Sequence, residues 1–542
     1  MRLLFKYLLL VLLFLQAMHG FGRTVYVAPD GSDSATGTLK YPFESISRAQ
    51  QSVGAGDTVY IRGGSYSMRE GQIAAYKDIW AYVTVLDKSG TTGKRICYFA
   101  YPGEQPVFDF SNIKPAGKRV IAFYLTASNI HIRGIEIVGV QVTIKTHTQS
   151  ECFEVKGSYN IIENVSMHDG MAIGVYLLEG SYNLVLNCDA YRNYDPVSED
   201  GRGGNVDGFG AHLSEGSRGN IFKGCRAWFN SDDGFDLINS HEPVLIDSCQ
   251  AFYNGYSPGF ISRGDGNGFK CGGYGSTSPD RLPDVVPVNT IRFCLAVGNK
   301  QSGFYANHHP GGNKWYNNTA YRNKRNYNML NREGTSQETY LVDVPGWGHH
   351  MVNNLGFGAT YAELSNIDKL ACELENNYFD LKLKADQNDF ISLDEALLTA
   401  SRAENGTLPE TGFLQLVEGS DLIDQGIDIG FSFNGTAPDL GCYESSVETG
   451  IGEFMKRKPV FNIFPNPLTD RAEVVFELEH SQHVSIGLYA LSGKRIKQLT
   501  DANYKVGRHV VSLNGLQLPG GSYCLLTHLD HEPFAQKIMI VK

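Results

Sequence analysis

The sequence predicts an all-β protein: a parallel β-helix solenoid followed by a small C-terminal antiparallel β-sandwich. Three observations predict it. A Gly-Phe motif returns four times, as Asp207-Gly208-Phe209-Gly210, Asp233-Gly234-Phe235-Asp236, Asn267-Gly268-Phe269-Lys270 and Ser302-Gly303-Phe304-Tyr305. Short strand-like runs recur with it and close on Asn193, Asn230, Asn254, Asn299 and Asn323, while Cys188, Cys225, Cys249, Cys294 and then Asn318 fill a second column. From Val460 onward the pattern changes to short alternating strands separated by turn residues. A repeat in the twenties without helix-length apolar patterns between the strands is the mark of a β-solenoid.

The elements follow in order. Arg2 and Lys6 precede the apolar run Leu8 to Leu15, a signal-peptide pattern over residues 1–20 that is short for a membrane span. A membrane anchor is the alternative reading there. No later stretch has the length to span, so the chain is expected to be exported and soluble. Thr24 to Asp33 reads as strand then turn, Phe43 to Ser52 as a short helix covering the open apolar end of the coil, and Gly56 to Gly63 as the first full strand. Rungs continue to about Phe379, interrupted by inserts at Pro196 to Gly204, Ser257 to Asp265 and Ser278 to Pro287. Asp380 to Glu444 is less regular, with a helix candidate at Leu393 to Arg402 and a closing strand at Asp439 to Glu444. The expected domains are thus 21–444, a linker over 445–459, and 460–542.

Composition sets the class of partner. At 542 residues the chain can bury a large core, and a net charge of −11 argues against nucleic acid. Of ten cysteines, four share one column, so they read as small core residues and not as a disulfide framework.

The repeat keeps its scaffold and varies its polar positions. In register, Asp207, Asp233, Asn267 and Ser302 share one column; Gly210, Asp236, Lys270 and Tyr305 share the column three places on. Neighbours in a column lie about 4.8 Å apart. Asp207, Asp232, Asp233 and Asp236 are therefore expected to converge on a single hard cation, for which Ca²⁺ suits carboxylate oxygens. A solvated Asp-Gly turn is the bland alternative, and the matching Asp207 one coil earlier argues against it. The EF-hand spacing is absent. Lys270, one coil beyond Asp236, reads either as a paired lysine or as a base whose proton affinity falls once a cation offsets the acids.

These segments resemble polysaccharide lyase family 9: Asp207, the run Ser231 to Asp236, and the run Gly264 to Lys270. The resemblance covers about Thr24 to Glu444. It implies a right-handed parallel β-helix, β-elimination on pectic backbones, calcium ligands at Asp207, Asp232, Asp233 and Asp236, and Lys270 as the base. The C-terminal segments Phe464 to Pro467, Leu491 to Lys494, Pro519 to Tyr523 and Lys537 to Lys542 resemble the sorting domain of the type IX secretion system. That implies passage across an outer membrane and release or display at the cell surface; a carbohydrate-binding sandwich is the other reading.

Abstraction of the C5 proton beside a uronate carboxylate, with expulsion of the C4-linked sugar, explains a cation beside a lysine and requires no water-activating acid. The expected substrate is polygalacturonate, with rhamnogalacturonan I as the alternative; a glycoside hydrolase or a noncatalytic calcium-binding adhesin would use the acids differently. Arg202, Arg263, Lys300, Asn307, His308 and His309 are candidates to grip substrate, Tyr305 to stack on a sugar, and Trp315 to pack inside. The chain is expected to act as a monomer.

Overall fold

The computed structural model describes residues 22–146, 149–274, 282–333 and 342–445, and beyond them 462–464, 473–478, 481–490, 495–513, 521–529 and 532–540. The expected signal peptide, the linker after residue 445, the first part of the insert Ser278 to Pro287 and several sorting-motif turns lie outside the described residues. The chain divides into two compact units, Met1–Val447 and Glu448–Lys542.

The first unit winds into three sheets of 12, 10 and 11 strands, parallel throughout except for the end strand Ala75–Lys77 of the third, and each of the central coils contributes one strand to each sheet. The third sheet runs through Ala172–Leu177, Phe209–Ala211, Phe235–Asp236, Phe269–Lys270, Ser302–Tyr305 and Arg325–Asn328. Its inward side is a stack of rings. Phe209, Phe235, Phe269, Phe304 and Tyr327 follow one another with centroids 4.9, 4.9, 5.0 and 5.1 Å apart. Each buried ring stabilises the coil by about 1.5–3 kcal/mol, and the stack fixes the register of the residues outside it. The glycine before each of the four phenylalanines makes a close approach: a Cβ on Gly234 would lie 2.6 Å from the Gly268 carbonyl oxygen.

The closing asparagines form a buried ladder. Asn193 donates to Asn230 at 3.1 Å, Asn230 to Asn254 at 3.2 Å, Asn254 to Asn299 at 3.0 Å and Asn299 to Asn323 at 2.9 Å. The left-handed backbone sits one residue earlier than the asparagines, at Arg192, Phe229, Tyr253, Gly298 and Arg322. Asparagine is selected for its amide, which bonds both the next rung's oxygen and a backbone carbonyl, and so satisfies groups that the turn would leave buried and unpaired. The cysteine column is fully buried and its thiols are free. It serves the same turn-closing role more weakly: the Cys225 amide donates to Cys249 Sγ at 3.4 Å, and the Cys294 amide to Asn318 Oδ1 at 3.0 Å. Trp315 is buried.

A helix over Ile46–Ser52 packs Ile46 and Ala49 onto the first coil, with Ser45 as its N-cap. At the other end two expectations are corrected. Leu393 to Arg402 holds only a 3₁₀ turn, Glu395–Thr399, and Asp439 to Glu444 is not a strand. The backbone there bonds side chains instead, with the Cys442 amide donating to Thr319 Oγ1 at 2.9 Å. The whole segment covers the outside of the second sheet, packing Phe390, Leu398, Phe413, Leu416 and Leu422 against Trp228, Phe252, Leu295 and Leu355.

A buried ionic clamp holds this cover. Arg226 and Arg402 both grip Asp189, with closest approaches of 2.8 and 2.6 Å. Burial pushes the Asp189 carboxyl up, and the two guanidinium groups outweigh burial and hold it below the ordinary range. A depressed carboxylate stabilises the fold above its unfolded pKa of about 3.9 and loses that contribution as pH falls through the folded value. Arg402→Ala is expected to cost about 3 kcal/mol in urea denaturation at pH 7. It should also flatten the loss of stability that the parent shows below about pH 4.

The second unit contains an antiparallel pair of sheets. Asn462–Phe464, Glu473–Leu478 and Gly507–Ser512 form one. Arg495–Tyr504, Gln482–Ala490, Gly521–Leu529 and Glu532–Ile540 form the other. Val474, Phe476, Val484, Ile486 and Leu488 make its core.

Candidate active site

The candidate residues lie in the third sheet's strands and in the turns that enter them. Gly210, Asp236, Lys270 and Tyr305 are paired in register on successive rungs, directly after the stacked rings. Asp207, Asp232 and Asp233 sit in the turns entering these strands, and all three are buried.

Each aspartate is held by the next coil. Asp207 Oδ1 accepts from the Asp233 amide at 3.0 Å, and Asp232 Oδ1 from the Asp265 amide at 2.7 Å. Asp233 Oδ1 accepts from the Asn267 amide at 2.6 Å and from Asn267 Nδ2 at 2.9 Å. One oxygen of each is thus fixed by the scaffold. Oxygens of Asp207, Asp232 and Asp233 lie within 4.8 Å of one another. Asp233, at 0% exposure, has its buried Oδ2 facing only the Lys270 ammonium, 2.9 Å away. Burial and then mutual repulsion push the Asp207 and Asp232 carboxyls well above their ordinary range; Asp233 also rises, through burial against the opposing pull of Lys270. Three buried carboxylates converging this closely, with one lysine beside them, fit a hard divalent cation.

Asp236 stands apart from this trio. Its Oδ1 accepts from the Ile238 amide at 2.8 Å, and its Oδ2 accepts from Lys270 Nζ at 3.1 Å. Lys270 Nζ also lies 2.9 Å from Asp233 Oδ2. Burial alone would lower the lysine's proton affinity, but Asp233, Asp236, Asp232 and Asp207 together push it well above the ordinary value. With no cation counted, Lys270 is the counter-ion of the acids.

His212 and Tyr176 were not singled out by the sequence. Tyr176 is the register partner of Gly210, so its column was legible. Its hydroxyl bonds His212 Nδ1 at 2.7 Å, and His212 Nε2 lies 3.9 Å from Asp236 Oδ2. Burial pushes the His212 imidazole down to about 4.

The expected substrate-gripping residues divide. Arg202 is 77% exposed in its side chain and pairs with Asp200 at 3.3 Å. Arg263 stacks 4.0 Å over the Tyr194 ring and donates to its hydroxyl at 3.1 Å. Lys300 spends its ammonium on the Arg263 carbonyl at 2.8 Å and on the Gly264 carbonyl, bracing the insert Ser257 to Asp265 from behind. His308 sits 3.5 Å from Asp343 and beside the Tyr305 ring. Asn307 is buried. His309 is corrected: it is fully buried, with Nε2 on the Pro287 carbonyl at 2.8 Å and Nδ1 accepting from the Gly311 amide, so it has no nitrogen left for a ligand.

Residues 25–348 match the family described as "Pel9A-like, right handed beta helix region", and residues 462–541 match "Secretion system C-terminal sorting domain". Pectate lyase L of Dickeya dadantii (strain 3937) is 35% identical over 78% of this chain and 90% of its own length. A solved rhamnogalacturonan lyase is 45% identical over 73% of this chain and 97% of its own, with a TM-score of 0.70. The crystal structure of pectate lyase Pel9A is 34% identical over 78% of this chain and 97% of its own, with a TM-score of 0.63. A right-handed β-helix of this lineage is a polysaccharide lyase acting on pectic material. The chain belongs to the Pel9A-like family, polysaccharide lyase family 9, and carries a type IX secretion sorting domain, which marks it for export to the cell surface or beyond.

Proposed function

We propose that the chain is a calcium-dependent lyase that cleaves rhamnogalacturonan I by β-elimination, with Lys270 as the base. The observation that carries the mechanism is Lys270 Nζ standing 2.9 Å from Asp233 and 3.1 Å from Asp236 at the rim of the buried carboxylate trio. The backbone assignment rests on the 45% likeness to a rhamnogalacturonan lyase, against 34% and 35% to the two pectate lyases. Those pectate lyases are the reason to keep polygalacturonate as a second reading.

Asp207, Asp232 and Asp233 would hold the calcium, with Asp236 at its margin. When bound, the cation offsets the acids and draws charge from the C6 carboxylate of a galacturonate. With that field offset, Lys270 would give up its proton more readily and would accept the C5 proton, as its place between Asp233 and Asp236 allows. The electron pair from the C5–H bond forms the C4–C5 double bond, the C4–O bond breaks, and the leaving oxygen takes a proton from solvent. Asp236 orients the lysine, and the ring stack beneath holds both in place.

The domain reading that goes with this is a signal peptide over 1–20, the lyase over 21–444, a linker over 445–459 and the sorting domain over 460–542, acting as a monomer. Purified protein incubated with each polymer should show a rise in ultraviolet absorbance from the unsaturated uronate, dependent on calcium and abolished by chelator. A larger rise on rhamnogalacturonan I supports the first reading, and a larger one on polygalacturonate the second. No rise on either, from folded protein, removes the lyase mechanism for these backbones.

A further inference from the structure

Beyond Lys270 the third sheet continues into a cleft of about 500 Å³, lined among others by Asn267, Ser302, Tyr305, Arg325, Asn328 and Asn366. The register is continuous. Lys270 pairs with Tyr305, which pairs with Asn328, and Ser302 pairs with Arg325. Arg325 therefore extends the column of Asp207, Asp233, Asn267 and Ser302 and stands two rungs, roughly 10 Å, from the reacting lysine's level. Its guanidinium lies 4.5 Å over the Tyr361 ring, and its Nε is buried with no hydrogen-bond partner. Among the described residues it makes no ion pair.

Asp343, the acid on the Arg325 side of the cleft, is matched by another cation. Asp343 pairs with Arg332 at 2.9 Å and approaches His308 at 3.5 Å. Among the described residues the charge of Arg325 thus has no carboxylate partner, and a buried donor without an acceptor is a costly arrangement unless a ligand completes it.

We propose that Arg325 binds the carboxylate of a uronate two sugars from the site of cleavage. This rests on the lyase reading above and names the next charged contact of the same groove. A glycan laid along the sheet advances by about one rung per sugar, so Arg325 meets the second sugar from Lys270. In a backbone where uronates alternate with neutral sugars, that second sugar is again a uronate. The sugar between them faces Ser302 and Tyr305, a hydroxyl and an aromatic ring suited to a neutral residue. The stacked, planar guanidinium is pre-organised for a carboxylate fork.

Arg325→Ala is expected to raise KM on long pectic chains by roughly 10- to 100-fold, the size of a charge-assisted pair, while kcat and the melting temperature stay near the parent values. Arg325→Lys should recover part of the loss. Short oligosaccharides that end before the second sugar should be cut equally by parent and variant. An unchanged KM on long chains, or an equal loss on short and long ones, overturns the proposal. In a Lys270→Ala background, calorimetry with a long acidic oligosaccharide and its carboxyl-reduced counterpart decides the contact without turnover. Arg325→Ala should weaken only the acidic ligand, and equal affinities with and without Arg325 would refute the contact. If the parent yields no unsaturated product, the lyase reading falls, and the calorimetric comparison still decides the role of Arg325.

Discussion

Lys270→Ala is expected to lower kcat by about a thousandfold on whichever pectic backbone the parent cuts, with KM changed little. The size follows from removing a positioned base, which contributes about 10²–10⁴ in rate. The direction of the KM effect follows from placement: Lys270 is 12% exposed in its side chain and directed at Asp233 and Asp236, so it contributes little to ground-state binding. A steady-state comparison of ultraviolet product formation checks it. The variant also leaves four buried acids without their internal counter-ion, so its fold should depend on calcium more steeply than the parent's. A variant that keeps a tenth or more of the parent's kcat would remove Lys270 from the base role. Loss of activity with calcium binding intact would remove the reading of the acids as a merely structural site.

The second large effect belongs to Asp233. Its Oδ1 is tied to Asn267 and its Oδ2 is buried beside Lys270, which makes it central to both the acid trio and the lysine. Asp233→Ala is expected to lower activity by at least about a hundredfold at any calcium concentration, because one change removes a charge from the cation site and a partner from the base. The same acids give a pH signature. Their folded-state pKa values are raised, so in chelator they favour the fold below the unfolded pKa of about 3.9 and lose that contribution as pH rises through the raised values. The chelated parent should therefore melt at a lower temperature at pH 7 than this cluster alone would allow at pH 4, and calcium should raise the melting temperature at pH 7 while doing little at pH 4. Asp233→Asn should shrink both differences. Equal calcium stabilisation at the two pH values would separate the cation from these carboxylates.

Much of this arrangement was legible in the chain. The Gly-Phe motif placed Asp236, Lys270 and Tyr305 in one column because a ring stack beneath them fixes the register. The asparagine column was legible as well; its side chains bond across coils, while the left-handed backbone falls on the residue before each asparagine. Other features depend on contacts that a linear pattern does not carry. Nothing local says that Arg402 will meet Asp189, a pairing across 213 residues, or that the segment after Phe379 will lie over the second sheet. Arg495–Tyr504 was missed as a strand because its run of polar residues hides the inward Ile496, Leu499 and Tyr504. His309 looked available because it follows an exposed-looking Asn-His pair, whereas a turn folds it under Pro287. Arg325 escaped notice because its rung lacks the Gly-Phe centre, with Asn326 and Tyr327 in its place.

The asparagine ladder has a consequence for how such an enzyme changes over evolutionary time. Asn230 and Asn254 are 24 residues apart and Asn254 and Asn299 are 45 apart, yet their amides bond at 3.2 and 3.0 Å. The coil measures space and is indifferent to the length of chain spent between its fixed points. Extra residues are expelled sideways as loops, and the spacing of the residues stacked on the coil stays constant. The stacked acids and lysine and the loops beside them are therefore separately heritable: an insertion can reshape the groove without moving the lysine relative to its acids.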